Sequence, residues 1–205
     1  MSEDITFGIG NDLLGDFRKK FIKAINRLSL AAEEISKTHL SKFKKNKLAE
    51  YVLIGESCIS IDTHWLLIKT TSGFRRIVIL CLEKFGELTF EKDQDDLNDK
   101  LVDKKILVTD CQKSVLSPST YNKKEIWNKE FDKGYCKWKC ELKGKIESGA
   151  TVIFAYKRIF DRFLTNENAK VWLQDNKISE IYYYNGRNHE LTGPFFFINE
   201  KWVRP

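Results

Sequence analysis

Ile181-Tyr-Tyr-Tyr-Asn-Gly-Arg-Asn-His-Glu-Leu-Thr-Gly-Pro-Phe-Phe-Phe-Ile198 sets two aromatic triplets around a polar segment that opens with Asn185-Gly186. That dipeptide suits the positive φ angles of a tight hairpin turn, so the segment predicts a β-hairpin. Side chains alternate along a strand, so each triplet sends at least one ring to the face opposite its neighbours. The expectation is Tyr or Phe surface beside Arg187 and His189.

At 205 residues the chain is large enough for one domain that buries about 70% of its unfolded surface. The reading is a single α+β domain over 1–205, divisible into a helix plus β-meander (1–110) and a strand-helix-strand-hairpin unit (125–205). MSEDITFGIG lacks the basic-then-apolar pattern of a secretory signal, and no apolar run is long enough to cross a membrane. A cytoplasmic protein without membrane partners is expected. Five cysteines, with Cys58, Cys81 and Cys111 standing alone, argue for reduced thiols. The net charge of +6 favours an anionic partner such as nucleic acid, although 27 of the 35 basic residues are Lys and only 8 are Arg.

Leu14, Phe17, Phe21, Ile25, Leu28, Ala32 and Ile35 recur at steps of three and four, predicting an amphipathic helix from Asn11 to Thr38. A basic run follows, with Lys44 and Lys45 as candidate phosphate contacts. YVLIG, CISID, HWLLIKT, RRIVILCLEK and ELTFE then predict an antiparallel meander, with RRIVILCL as a central strand. Residues 91–103 carry six acidic and two basic side chains and read as an exposed loop or short helix. ILVTD predicts another strand, and the stretch around Pro118 a linker. Ile126 to Glu147 is strand-like, TVIFAYKRIFDRFL predicts a helix, and KVWL and EIYYYN predict strands. The predicted fold class is therefore α+β: an amino-terminal amphipathic helix packed on a mainly antiparallel β-sheet, a second helix near 150–165 and a carboxy-terminal β-hairpin.

The sharpest chemical pattern is Asp132-Lys-Gly-Tyr-Cys-Lys-Trp-Lys-Cys-Glu141-Leu-Lys143. Strand alternation would put Tyr135, Lys137, Lys139, Glu141 and Lys143 on one face and Cys136, Trp138, Cys140 and Leu142 on the other. Asp132 and Glu141 could then hold a divalent ion while Lys143 stabilises charge, the logic of metal-assisted phosphodiester hydrolysis. This dozen residues resembles the PD-(D/E)xK nuclease superfamily motif, with Phe131 where that motif has Pro. The resemblance implies Asp132, Glu141 and Lys143 as catalytic residues and Mg2+ on the two carboxylates. An ordinary amphipathic strand with a Lys-rich solvent face fits the same alternation. On a strand, Cys136 and Cys140 stand about 13 Å apart, too far to share an ion, and read as buried thiols beside Trp138.

His189, beside Glu190, is a candidate general base for a metal-free mechanism, and so is His64, two residues after Asp62. Arg75 and Arg76, with Lys137, Lys139, Tyr183 and Arg187, complete a candidate surface that stacks bases and grips phosphates. No Gly-rich phosphate loop, G-x-S-x-G, H-E-x-x-H or paired CxxC is present. The expected function is nucleic-acid binding, DNA or RNA, with metal-dependent nuclease activity as its catalytic form. The alternative is a non-catalytic, inhibitor- or immunity-like module that binds a protein partner or a second copy through the aromatic hairpin.

Overall fold

A computed structural model of the chain describes residues 34, 36–56, 73–87, 89, 96–111, 123–198 and 201–205. Six strands form one mixed sheet: β1 (Ala49–Gly55), β2 (Ile106–Asp110), β3 (Ile146–Phe154), β4 (Glu180–Asn185), β5 (Glu190–Ile198) and β6 (Lys201–Val203), in the order β2-β1-β3-β4-β5-β6. β1 pairs in parallel with β2 and β3, and β3 in parallel with β4. The β4–β5 and β5–β6 pairs are antiparallel. Among the described residues five helices carry the connections: α1 (Gly73–Gly86) and α2 (Leu97–Asp103) between β1 and β2, α3 (Lys124–Leu142) between β2 and β3, and α4 (Lys157–Thr165) and α5 (Glu167–Asp175) between β3 and β4.

Strand alternation sorts the core into two layers. Leu53, Ile106, Val108, Ile153 and Tyr182 pack with Phe74, Ile77, Val78, Cys81 and Leu82 of α1 and Leu97 and Leu101 of α2. Val52, Ile54, Leu107, Val152, Phe154 and Ile181 belong to the opposite layer, with Trp127, Phe131, Tyr135 and Trp138 of α3, Phe163 of α4 and Trp172 of α5. Both faces are covered, which is why VLI and TVIF are continuous apolar runs. Trp138 is fully buried, with Phe163 at 5.5 Å and Trp172 at 4.9 Å between ring centroids. Aromatic pairs of this kind add about 0.5–1.5 kcal/mol each beyond their buried area.

The hairpin forms, but its turn spans residues 186–189 between the paired Asn185 and Glu190, and the positive φ falls on His189 and not on Asn185 or Gly186. Tyr183 faces the α3 side against Phe160 and Phe195, while Tyr182 and Tyr184 face the α1 side. The β1 strand and the ILVTD strand are also present.

Other expectations are corrected. Three of the five strand pairings are parallel, so the sheet is mixed and not mainly antiparallel. RRIVILCL belongs to helix α1: its burial recurs at Phe74, Ile77, Val78, Cys81 and Leu82, a period of three to four that a run apolar at every position conceals. The segment from Ile126 to Leu142 is likewise helix α3. Its buried residues Trp127, Phe131, Tyr135, Trp138 and Leu142 are spaced for one helix face, and the shorter window around Cys136 fits strand and helix alike. TVIF is the end of β3, with the helix starting only at Lys157, and KVWL lies in α5. The amino-terminal helix from Asn11 falls largely outside the described residues, as do CISID, HWLLIKT, His64 and the Pro118 segment; residues 36–41 are helical.

His39 is fully buried. Its Nε2 accepts from the Val108 backbone N–H (3.0 Å), so Nδ1 is the protonated nitrogen and donates to Asn98 Oδ1 (2.6 Å). The basic run beyond it meets the acidic segment: Lys42 pairs with Asp99 and Lys47 with Asp103.

Candidate functional site

β1 has β2 on one side and β3 on the other; the helices leaving β1 lead to β2 over one face of the sheet and those leaving β3 lead to β4 over the opposite face. The connections therefore diverge between β1 and β3. In open α/β sheets this opens a crevice outside the carboxyl ends of the strands, where ligands bind.

Glu56, the residue after β1, stands in that crevice and is only 5% exposed. Its carboxylate accepts from the Trp127 indole Nε1–H of α3 and from Arg158 Nη2 of α4. The Arg158 guanidinium also lies over the Trp127 ring, 5.5 Å from its centroid. Burial raises the Glu56 pKa above the ordinary carboxyl value, and the Arg158 charge and the two hydrogen bonds oppose that rise without cancelling it. The ends of the strands beneath are tied together, Cys111 N–H donating to Gly55 O (3.1 Å) and Ala155 N–H to Ile54 O (2.9 Å).

Two more groups share the crevice. Asp110, at the end of β2, lies against the Gly55 backbone with the Phe74 ring beside it. Tyr156 follows β3, and its phenol is pushed up to about 12, first by burial and then by the negative charges of Glu56, Asp110 and Tyr184. A carboxyl with a raised pKa beside cations and a phenol is a constellation suited to proton transfer.

Next to Glu56 a cleft of about 520 Å³ is lined by Lys124, Trp127, Asn128, Arg158, Asp161, Arg162 and Thr165. Of its three cations, Arg158 is paired with Glu56 and Arg162 with Asp132, and the lining carboxylate Asp161 pairs with Lys157. The volume is that of a small-ligand site.

The residues singled out from sequence divide among three places. Arg75 and Arg76 open α1 at the Glu56 edge, Arg75 buried and Arg76 exposed. His189 and Arg187 lie in the turn beyond β4 at the same edge. Tyr184 Oη and His189 Nδ1 are hydrogen-bonded (2.8 Å), and His189 takes a left-handed backbone conformation, φ 59°. Tyr183 is half-buried in the α3 layer, its ring against Phe160 and Phe195. Lys44 and Lys45 occupy an exposed tight turn before β1, at the opposite edge of the sheet, where Lys143 also ends α3.

Asp132, Lys137, Lys139 and Glu141 lie along α3 itself. Asp132 and Glu141 are nine residues apart, which on a helix means about 13 Å along the axis and roughly opposite faces, so the strand geometry expected for a shared Mg2+ is absent. Asp132 instead accepts from Arg162 Nη2 (2.6 and 2.8 Å) and Asn166 Nδ2 (2.9 Å). Asn166 in turn caps α5, accepting from Ala169 N–H (3.0 Å). Among the described residues no group of three or more His, Cys, Asp or Glu is placed to hold a metal ion.

Sequence reading passed over Glu56, Asp110, Trp127, Tyr156 and Arg158. The usable signal was a carboxylate at the end of each of two apolar strands, in VLIGE and ILVTD, once those strands are taken as parallel. Compared with protein families, with curated proteins and with solved structures, the chain matches none.

Proposed function

We propose that this protein binds nucleic acid through the crevice at the carboxyl ends of β1 and β3, seating a nucleotide phosphate on Lys124, Arg158 and Arg162, with Glu56 as the acid–base group of a phosphodiester hydrolase. The observation that carries this reading is Glu56: a buried carboxyl at the divergence of the connections, held by Trp127 and Arg158 beside a cation-lined cleft. The +6 net charge supports it, as does the position of Arg76, Arg187 and His189 at the same edge. Mg2+ remains a candidate cofactor, to be held by a different set of groups from Asp132 with Glu141.

The test is fluorescence anisotropy with labelled single- and double-stranded DNA and RNA, and competition by free mononucleotides, between about 50 and 200 mM salt. Binding that weakens steeply with salt and with Lys124→Glu, yet survives Lys44→Ala and Lys45→Ala, supports the site. Binding that follows Lys44 and Lys45 instead, or no binding at all, overturns it. Incubation of the same substrates with Mg2+ or EDTA then reads cleavage, which Glu56→Gln should abolish while leaving binding in place.

One observation favours a second reading, protein binding at the far end of the sheet. Of the four exposed large hydrophobic residues among those described, three lie on β5 and β6: Phe197 against Trp202 on one face, and Ile198 and Val203 on the other. A protein interface there would be insensitive to salt, and Phe197→Ser would remove it.

A further inference from the structure

Cysteine is among the residue types most often buried, yet Cys136 and Cys140 are both exposed, whereas Cys81 and Cys111 lie in the core. Neither exposed thiol is beside Trp138 as a core residue, because α3 is a helix and its buried face runs through Trp127, Phe131, Tyr135, Trp138 and Leu142. Helical geometry also reverses the spacing argument. Four residues apart on a strand, two thiols are about 13 Å from each other. Four apart on a helix, they stand one above the other on one face, with Cβ atoms roughly 5–6 Å apart.

We infer that Cys136 and Cys140 form a surface dithiol site for a soft, two-coordinate metal ion of the copper(I) class. Thiolate donors select such ions. With metal–sulfur bonds of roughly 2.3 Å, two sulfurs on either side of one ion are about 4.6 Å apart, a span that thiols one helical turn apart reach by rotation about χ1. Each thiol gives up a proton to solvent and donates a sulfur pair to the ion, with no change of oxidation state, so the bis-thiolate complex carries one negative charge. Lys137, Lys139 and Lys143 lie within a turn of the two thiols and complement that charge.

Four-coordinate zinc needs two donors more, and among the described residues no third His, Cys, Asp or Glu joins the pair. The carboxylate one turn before Cys136 on the same face, Asp132, is committed to Arg162 and Asn166, and Glu141 follows Cys140 directly, at a spacing that does not share its face. An intrahelical disulfide is disfavoured, because it requires Cβ atoms about 3.8 Å apart. The site lies along α3 toward the edge opposite Glu56, so it stands or falls independently of the proposed nucleic-acid site.

The experiment is anaerobic titration of the full reduced chain with copper(I) against a chromophoric chelator, alongside Cys136→Ser, Cys140→Ser and Cys58→Ser. Cys136 and Cys140 are exposed, so their Ser variants should keep the fold, and far-ultraviolet circular dichroism checks all three proteins. The expected result is one tight equivalent for the wild type and for Cys58→Ser. Loss of either helical thiol should weaken it by about a hundredfold or more, the scale of an intramolecular second ligand. Copper(I) should also shield Cys136 and Cys140 from alkylation, read by peptide mass mapping. Unchanged affinity in either single helical variant, or alkylation of both thiols at full occupancy, would overturn the proposal.

Discussion

Asp110 Oδ1 lies so close to the Gly55 backbone that a methyl group on Gly55 would overlap it and come within 2.6 Å of Phe74 Cζ. The end of β1 has no room for a side chain because the carboxylate ending β2 and the first turn of α1 converge on it. Gly55→Ala should therefore cost about 1–3 kcal/mol, as overpacking in a closed region does. The urea midpoint measures this, and a midpoint within error of wild type would show that Asp110 swings aside freely.

The Glu56 carboxyl titrates above its ordinary value of 4.5 in the folded chain. Between 4.5 and that raised value, the folded protein holds a proton that the unfolded chain has released, so stability falls as pH rises across the window. Glu56→Gln mimics the protonated form and has no such decline. Urea denaturation of both proteins from below pH 4.5 toward neutrality should show the stability difference moving steadily in favour of the variant. A flat or opposite trend would mean that Arg158 and Trp127 more than offset the cost of burying the charge.

His39→Ala should remove the acceptor of the Val108 N–H in β2 and open a cavity beside Phe43, whose ring centroid is 5.4 Å from the imidazole. An orphaned buried donor costs about 1–3 kcal/mol before the cavity is counted. Thermal denaturation should show this as one of the larger single-residue losses in the chain, well beyond that of the exposed Lys45→Ala.

The role of Asp132 separates a structural carboxylate from a metal ligand. Asn166→Ala should cost about 1 kcal/mol by uncapping α5. Asp132→Ala should cost about 0–1 kcal/mol, since its pair with Arg162 is half-exposed. Stability of the wild type should not respond to EDTA through this residue. A thermal shift with Mg2+ that Asp132→Ala abolishes would return Asp132 to the metal-binding candidates.

Local pattern carried what depends on neighbours in sequence. A polar segment between aromatic triplets announced the hairpin because side-chain alternation is a local property, although the left-handed residue of the turn is His189 and not Asn185 or Gly186. The strands at Tyr51 and Ile106 were legible for the same reason: short β-branched runs bounded by turn residues. The strand reading around Cys136 failed because eight residues satisfy either period, and only the long spacing from Trp127 to Leu142 separates them.

What the sequence by itself determined was therefore the hairpin, two of the sheet strands and the surplus of positive charge, since each follows from residues adjacent in the chain or simply counted. Tertiary structure alone decided the parallel pairing of β1 with β2 and β3, and through it the meeting of Glu56, Asp110, Trp127, Tyr156 and Arg158. Glu56 and Arg158 are 102 residues apart. No local spacing encodes their contact, because it exists only where the helices leaving two neighbouring strands part to opposite faces of the sheet.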